Sequence, residues 1–541
     1  MKSGLRSAWL WPLILAVAFF LIPTLLNHAY PASFWAVTDY ETLGLADALN
    51  MAYRLADLQQ YKAAGLTNHP GVPFYFLSWI ALALTGYPVA SGEANFFRTV
   101  IDHVEDYHRM IMPLGALVGA FGVYLFAWAV RNRVPVGVTL ASVLIWLVST
   151  PATLMMFMSV SIDSFAIVIN ALFVAVLIPL AYDDDIDPSI LVFAGFVGAF
   201  AYLNKLSYVY VPVALLAAMV MKMFLSKASR LQVGRSLAVY SGSLLLFLFA
   251  VIFLVIGWEG ARELYVFQRG VILGSGLYGE GARTVVSASE VWRAIASIPG
   301  DRAYAVPIAL IGGAALALGG LIAGCRRRER TAVAVMSVGS GSAAMLSALF
   351  VIKHYDLHYT AGVSATLPAC VASAYLLGEP WLFRFRWWAA GAAAAVLALM
   401  AVQVQRPIID NLASAVSRSA LAKADLDEIN AYWAGHNRTI EFVYRSPFAE
   451  CGEGFVVAFG SVPRMIHDYL RSRPHTIASM AGAMVSRDVG AYVLDKAYFP
   501  TVESIKTAPN IALLDPNPNP VKFKDGDKLI ELRTVFLLIR S

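Results

Sequence analysis

The stretch "TAVAVMSVGSGSAAMLSALFVIKHYDLHYTAGVSATLPACVASAYLL", Thr331 to Leu377, decides the class of fold. It holds two uncharged runs, Thr331–Ile352 and Thr360–Leu377. A helix rises 1.5 Å per residue, so about 20 apolar residues cross a hydrocarbon core. The two runs therefore predict a pair of membrane-spanning helices. The turn between them is unusual. Small polar residues would suffice to reverse the chain, yet Lys353, His354, Tyr355, Asp356, His358 and Tyr359 crowd into it.

Composition extends the reading to the whole chain. The 541 residues are 59% hydrophobic and 14% charged, with a mean hydropathy of +0.64. Soluble chains carry roughly 25% charged residues. Uncharged runs recur at Ala8–Leu26, Met110–Val130, Val136–Met158, Ser164–Tyr182, Ile190–Asn204, Leu206–Met221, Ser236–Trp258, Ala303–Gly324 and Trp387–Val404. With the opening pair they predict an all-α polytopic membrane protein of about eleven spans. The first run follows Lys2 and Arg6 but is longer than a signal-peptide core of about 7–15 residues, so it reads as an uncleaved helix. Cys325, Cys370 and Cys451 lie far apart, with no CxxC or Cys/His spacing, which argues against an intramolecular disulfide and a structural zinc site.

Cation placement orients the spans. With Lys2 and Arg6 in the cytoplasm, alternate loops receive Arg131 and Arg133, then Lys222, Lys227, Arg230 and Arg235, then Arg326, Arg327, Arg328 and Arg330, then Arg384 and Arg386. Short cation-dense loops belong inside. The acidic "DDDIDP", Asp183–Pro188, is the one dissenting inside loop, and acidic residues weigh little in orientation. Outside then lie a first loop, 27–109, the short edge "STPATLMMFMSVSID", the segment Glu259–Arg302, the turn Lys353–Tyr359 and residues 405–541. The apolar "GVPFYFLSWIALALTGY", Gly71–Tyr87, reads as an interfacial or re-entrant helix within the first outer loop. Residues 1–404 form the transmembrane domain. The tail, 405–541, carries the strand-like runs "TIEFVY", "GFVVAFGS", "GAYVLD", "NIALLD" and "KLIELRTVFLLI", which predict a small C-terminal extracytoplasmic α/β domain. No Gly-rich phosphate loop or nucleophile elbow occurs in it.

Ionisable residues at membrane depth are costly and so are functional candidates. They collect on the outer side: Asp39 and Glu41 beyond the first helix, His69 and Tyr75 in "NHPGVPFY", Asp163 in "SVSIDSF", Lys205 in "YLNKLSYVY", and the turn with Lys353, His354, His358 and Tyr359. Each has a plainer reading. Asp39 and Glu41 suit solvated or capping carboxylates, and His69-Pro70 suits a helix start. Asp163 suits an N-cap, Lys205 a side chain reaching for headgroups, and the tyrosines an interfacial belt. Their convergence on one membrane face is the stronger signal. A carboxylate accepts a proton from a nucleophile, while Lys, His and Tyr hold a phosphate. That set suits group transfer from a phosphate-bearing lipid at the bilayer edge.

With these motifs in order, residues 1–405 resemble the GT-C superfamily of integral-membrane glycosyltransferases, in the branch of protein O-mannosyltransferases and lipid A aminoarabinose transferases. The resemblance rests on Asp39-Tyr40-Glu41 after the first helix, on His69-Pro70 with Tyr75, and on Ser161 and Asp163 opening a helix. It rests also on Lys205 closing "GFVGAFAYLNKLSY" and on the His-Tyr element of "KHYDLHYTAG". The chain departs from the family where it has His69-Pro70-Gly71 in place of His-Pro-Pro, and Thr360-Ala361-Gly362 in place of Leu-Leu-Pro. The resemblance implies an inverting transferase with a polyprenyl-phosphate-linked sugar as donor and a lipid, glycan or protein acceptor. Asp39 would be the general base and Glu41 would assist it. Lys205, Lys353, His354, His358 and Tyr359 would bind the donor phosphate, with His69, Tyr75 and Asp163 on the acceptor or loop side. Some relatives use a divalent metal; the sequence has no metal-ligand box, so no cofactor and no metal ligands are assigned. The setting implied is a bacterial inner membrane, multi-pass, with the N-terminus cytoplasmic and the tail periplasmic; no nucleic-acid partner is implied.

Two other classes stay open. A transporter or flippase of a lipid-linked sugar also needs many spans and intramembrane charge, but places that charge near the midplane and shows repeated halves. A non-catalytic scaffold with a partner-binding tail leaves the polar cluster without a use.

Overall fold

The computed structural model describes residues 2–29, 104–157, 162–183, 186–226, 230–253, 257–274, 288–382, 387–434, 439–442, 475–477, 489–496, 499–511 and 521–541, with a few isolated positions besides. Most of the first outer loop lies outside the described residues, and with it Asp39, Glu41, His69, Tyr75 and all of the apolar run Gly71–Tyr87 except Pro73, Leu77 and Ile80, which are helical; Ser161 and the strand-like run "GFVVAFGS" lie outside them too. The chain forms two compact units, one mainly from Met1–Leu25 and Pro113–Ile409, the other mainly from Asp410–Ser541.

The first unit is helical. Its principal helices are α1 (Lys2–Ala29), α2 (Val104–Val130), α3 (Val136–Val148), α4 (Ala152–Phe157), α5 (Ala166–Tyr182), α6 (Pro188–Asn204), α7 (Tyr210–Leu225) and α8 (Arg230–Val251). They continue with α9 (Gly257–Leu273), α10 (Ala288–Ser297), α11 (Ala305–Arg326, opening on a π turn), α12 (Thr331–Lys353), α13 (Thr360–Ser364), α14 (Leu367–Leu382) and α15 (Trp387–Trp433). Seven stretches among the described residues are long and apolar enough to cross a membrane, which makes this a polytopic helical membrane protein. Of the other runs expected to span, three form the shorter apolar helices Leu10–Leu26, Val136–Val148 and Pro188–Asn204, and the last lies at the start of α15.

One expected span is two helices. The run Val136–Met158 breaks at Ser149-Thr150-Pro151, between α3 and α4. A proline disfavours helical geometry in the residue before it, so α3 stops there. The carbonyl of Ser149 is taken up by the backbone N–H of Ala305 at 2.7 Å.

Packing ranks the helices. The span containing α5 is 72% buried inside the protein, whereas that of α8 is 11% buried. A helix apolar all round belongs inside a bundle, and α5 fits that rule. Helix α12 is the hub, packed against α5, α7, α11 and α14. Small residues permit this. A Cβ on Gly341 would lie 2.4 Å from the carbonyl oxygen of Gly313, and one on Gly320 2.5 Å from the Cβ of Ser337. Lipid supplies no hydrophobic drive between helices, so close backbone approach of this kind holds them.

The bundle has two chemically distinct ends. At one, Arg131 lies over Trp128, Arg133 over Tyr182, Lys222 donates to the carbonyls of Ala181 and Asp183, and Arg330 donates to that of Leu377. Asp163, Lys205, Asp301, Tyr355, Asp356, His358 and Tyr359 lie toward the other.

The second unit carries a five-stranded sheet of order β2-β1-β3-β5-β4, from β1 (Thr439–Phe442), β2 (His475–Ile477), β3 (Val489–Asp495), β4 (Lys528–Glu531) and β5 (Val535–Ile539). β1 pairs in parallel with β2 and β3, and β5 pairs antiparallel with β3 and β4. The end of α15 covers one face through Ala422, Ile429 and Trp433, packed with Ile440, Ala491, Val493 and Leu537. On the other face Tyr492, Leu494, Phe536 and Leu538 meet Phe499, Ile505 and Ile511. With both faces covered, β3 reads as a continuous apolar run rather than an alternating one. Asp425 of α15 is fully buried and accepts from the backbone N–H of Thr534 at 2.6 Å, the Thr534 hydroxyl at 2.7 Å and the Arg533 guanidinium at 2.8 Å. It fastens the β4–β5 turn to the helix.

Candidate functional site

Three chain breaks build the site, all at the same end of the bundle. The first is the tight turn Ile162–Phe165 that opens α5. The second is Lys205, whose backbone is extended (φ −159°, ψ 139°) between α6 and a second tight turn, Leu206–Val209. The third is the turn Lys353–Tyr359 between α12 and α13. Leaving the helix at Lys205 turns its side chain into the bundle.

There the ammonium of Lys205 donates to Asp163 Oδ2 at 2.7 Å, with both side chains 2% exposed. The Tyr208 hydroxyl donates to the other oxygen of Asp163 at 2.6 Å. Lys205 Nζ also lies 4.3 Å from the centroid of the Tyr359 ring, a cation–π contact. The His358 ring packs 3.9 Å from that of Tyr359, and His358 Nδ1 meets Asp356 Oδ1 at 2.8 Å. The neighbouring wall is hydroxyl-rich: Thr150 pairs with Thr360 at 2.6 Å and Thr153 with Ser364 at 3.1 Å. Asn204 donates to the carbonyl of Ile162 at 3.0 Å, which ties the first two breaks together.

Burial makes pairing obligatory. An isolated ion in this environment would cost several kcal/mol, so each of Asp163 and Lys205 needs the other as its partner. Asp356 is half exposed. Burial works to raise its carboxyl, but the hydrogen bond and charge of His358 outweigh that and hold it below the ordinary range. Tyr355 donates to Asp301 Oδ2 at 2.9 Å; burial and this carboxylate push its phenol up.

Of the residues expected at the site, the structure brings Asp163, Lys205, His358 and Tyr359 together. Lys353 and His354 go elsewhere: Lys353 Nζ donates to the carbonyl of Val271 at 2.8 Å and to that of Ile272, and His354 Nε2 meets the Val271 carbonyl at 3.1 Å. They serve the last carbonyls of α9, groups a helix end leaves without partners. Lys205 is buried in an ion pair rather than extended toward headgroups, and Asp163 holds side chains rather than capping α5.

Sequence reasoning missed Tyr208 and Asn204, and noticed Asp356 in the turn without giving it a role. The spacing carried a signal for the first. Residues i and i+3 eclipse in a tight turn of three residues, so Lys205 and Tyr208 in "KLSY" present to one target. Gly362, a departure from the family pattern, has a local reason: a Cβ there would lie 2.6 Å from the Tyr208 ring. Among the described residues no three His, Cys, Asp or Glu side chains form a group able to hold a metal ion, and both carboxylates of the site are already committed to partners.

The arrangement can hold a fixed dipole of buried charge beside aromatic faces and hydroxyls, at the level where apolar spans end. No protein-family model matches the chain, and no curated protein matches it.

Proposed function

We propose that the chain is an inverting glycosyltransferase that moves a sugar from a polyprenyl-phosphate donor to an acceptor hydroxyl at the outer face of a bacterial inner membrane. The observation that carries the reading is the buried Lys205–Asp163 pair, with Tyr208, Tyr359 and His358 around it, where the spans end. In this reading about eleven spans place the N-terminus in the cytoplasm and the sheet-bearing unit in the periplasm. Asp39 takes the proton of the acceptor hydroxyl, with Glu41 assisting, as that oxygen attacks the anomeric carbon. The bond from that carbon to the phosphate oxygen breaks, and the polyprenyl phosphate leaves with an added negative charge. Lys205 and His358, fixed by their carboxylates, face that growing charge with Tyr359. Preorganised groups of this kind favour the transition state over the ground state. His69, Tyr75 and Asp163 shape the acceptor side and the walls. No step is routed through a metal.

A buried ion pair also suits a transporter, so one experiment addresses both. Purified wild type and Asp39→Asn are incubated with a panel of polyprenyl-phosphate sugars, and released sugar is read by mass spectrometry. The expected result is release by wild type and none by the variant. Equal release moves the base to Glu41. Lipid-linked sugar that crosses proteoliposomes intact, with no release, replaces the transferase by a flippase.

A further inference from the structure

The segment Gly257–Leu273 contradicts the charge logic of its own end of the molecule. The arginine-rich loops gather at the opposite end of the bundle, yet α9 places Arg262 and Arg269 here, both exposed. They are not scattered. Trp258, Arg262, Tyr265, Arg269 and Ile272 follow a spacing of four, three, four and three residues, so they form one stripe along the helix. Trp258 is 72% and Tyr265 63% exposed. The opposite face is fixed: Leu264 and Gln268 are buried, the Tyr202 hydroxyl donates to Gln268, and Lys353 and His354 hold the last carbonyls. Among the described residues neither Arg262 nor Arg269 is in an ion pair.

We infer that this stripe of α9 is a docking surface for anionic lipid headgroups of the leaflet at this end of the bundle. α9 follows α8, the apolar span least covered by protein, and Trp258 stacks on Phe253, two residues beyond the last residue of α8, with ring centroids 5.9 Å apart. α9 is therefore continuous with the lipid-facing surface. Indole and phenol rings settle at the level of headgroups, and arginine presents a planar fork that matches phosphate. α10 repeats the device: Ala294 and Ile298 pack into the core beside Ala344 and Ala348, while Trp292, Arg293 and Ile295 face outward. The surface is independent of the transferase reading.

Hydrogen exchange on the full-length protein in nanodiscs tests it. Discs of phosphatidylcholine alone are compared with discs that also contain phosphatidylglycerol. Exchange across Gly257–Leu273 is expected to slow on adding the anionic lipid, and the double variant R262Q/R269Q to lose that slowing. Native mass spectrometry should show the double variant retaining phosphatidylglycerol roughly fivefold less tightly per arginine removed. Unchanged exchange across Thr331–Lys353 in the variant certifies its fold. Equal exchange in both disc types, or full slowing in the double variant, overturns the assignment. Slowing by dissolved inorganic phosphate in neutral discs, at matched ionic strength, overturns the lipid as its source.

Discussion

Lys205 and Asp163 meet at 2.7 Å with almost no access to water. Removing one partner strands the other, which costs about 3–5 kcal/mol, whereas replacing both with apolar groups is far milder. Lys205→Met is accordingly expected to lower the unfolding temperature in detergent sharply. The double change Asp163→Leu with Lys205→Met should recover part of that loss, less the bond from Tyr208. Asp425 makes a different prediction. Burial works to raise its carboxyl, but hydrogen bonds from Thr534 and Arg533 outweigh it, so its folded value lies below the ordinary 3.8. A depressed acid contributes stability above its unfolded value and loses it as pH falls through the folded one. Exchange protection of Val489–Asp495 should therefore fall as pH drops below 3.8. In Asp425→Asn it should be weaker at neutral pH and flatter in acid.

At the scale of elements, α11 and α12 lie close because neither carries side-chain bulk where they cross. A Cβ at Gly341 would stand 2.4 Å from one backbone atom of α11 and 2.7 Å from another, the N–H nitrogen of Ala317. Backbone cannot swing aside as a flexible side chain can. Gly341→Leu is expected to separate the two helices and destabilise the protein by at least the ~1–3 kcal/mol of ordinary overpacking, read as a lowered unfolding temperature. Gly312 on α11 has open space around its Cβ position and serves as the control. Gly312→Leu should leave that temperature nearly unchanged. The tight turns at Ile162–Phe165 and Leu206–Val209 matter at this scale too, because a continuous helix through Lys205 would not turn its side chain onto Asp163.

For the molecule as a whole, charge asymmetry between the two ends of the bundle is the main clue to orientation. Cys325 is exposed beside Arg326 and Arg327 at the arginine-rich end. If that end faces the cytoplasm, an impermeant maleimide should fail to label Cys325 in spheroplasts and should label it once the membrane is opened. A cysteine placed at Asp301, which sits with Tyr355 at the other end, should label in intact spheroplasts. The reverse pattern would invert the topology and place the site on the cytoplasmic side.

Hydropathy alone determined that this chain is a polytopic helical membrane protein, because an apolar run of sufficient length has no other stable place for its backbone. Local patterning also marked β1, β3 and, as a single run, the stretch that folds into β4 and β5, and picked out Asp163, Lys205, His358 and Tyr359 as polar residues out of place. Which of these touch was beyond it. Asp163 and Lys205 are 42 positions apart, and their meeting depends on three helix breaks converging at one end of a bundle. The same limit hid the real employment of Lys353 and His354. In the sequence they look like part of one cationic cluster. In the fold they stand over the open carbonyls of α9, a helix end more than 80 residues away along the chain. Apolar length is a local property and survives in one dimension, whereas the partner of a buried charge is decided only when distant segments pack.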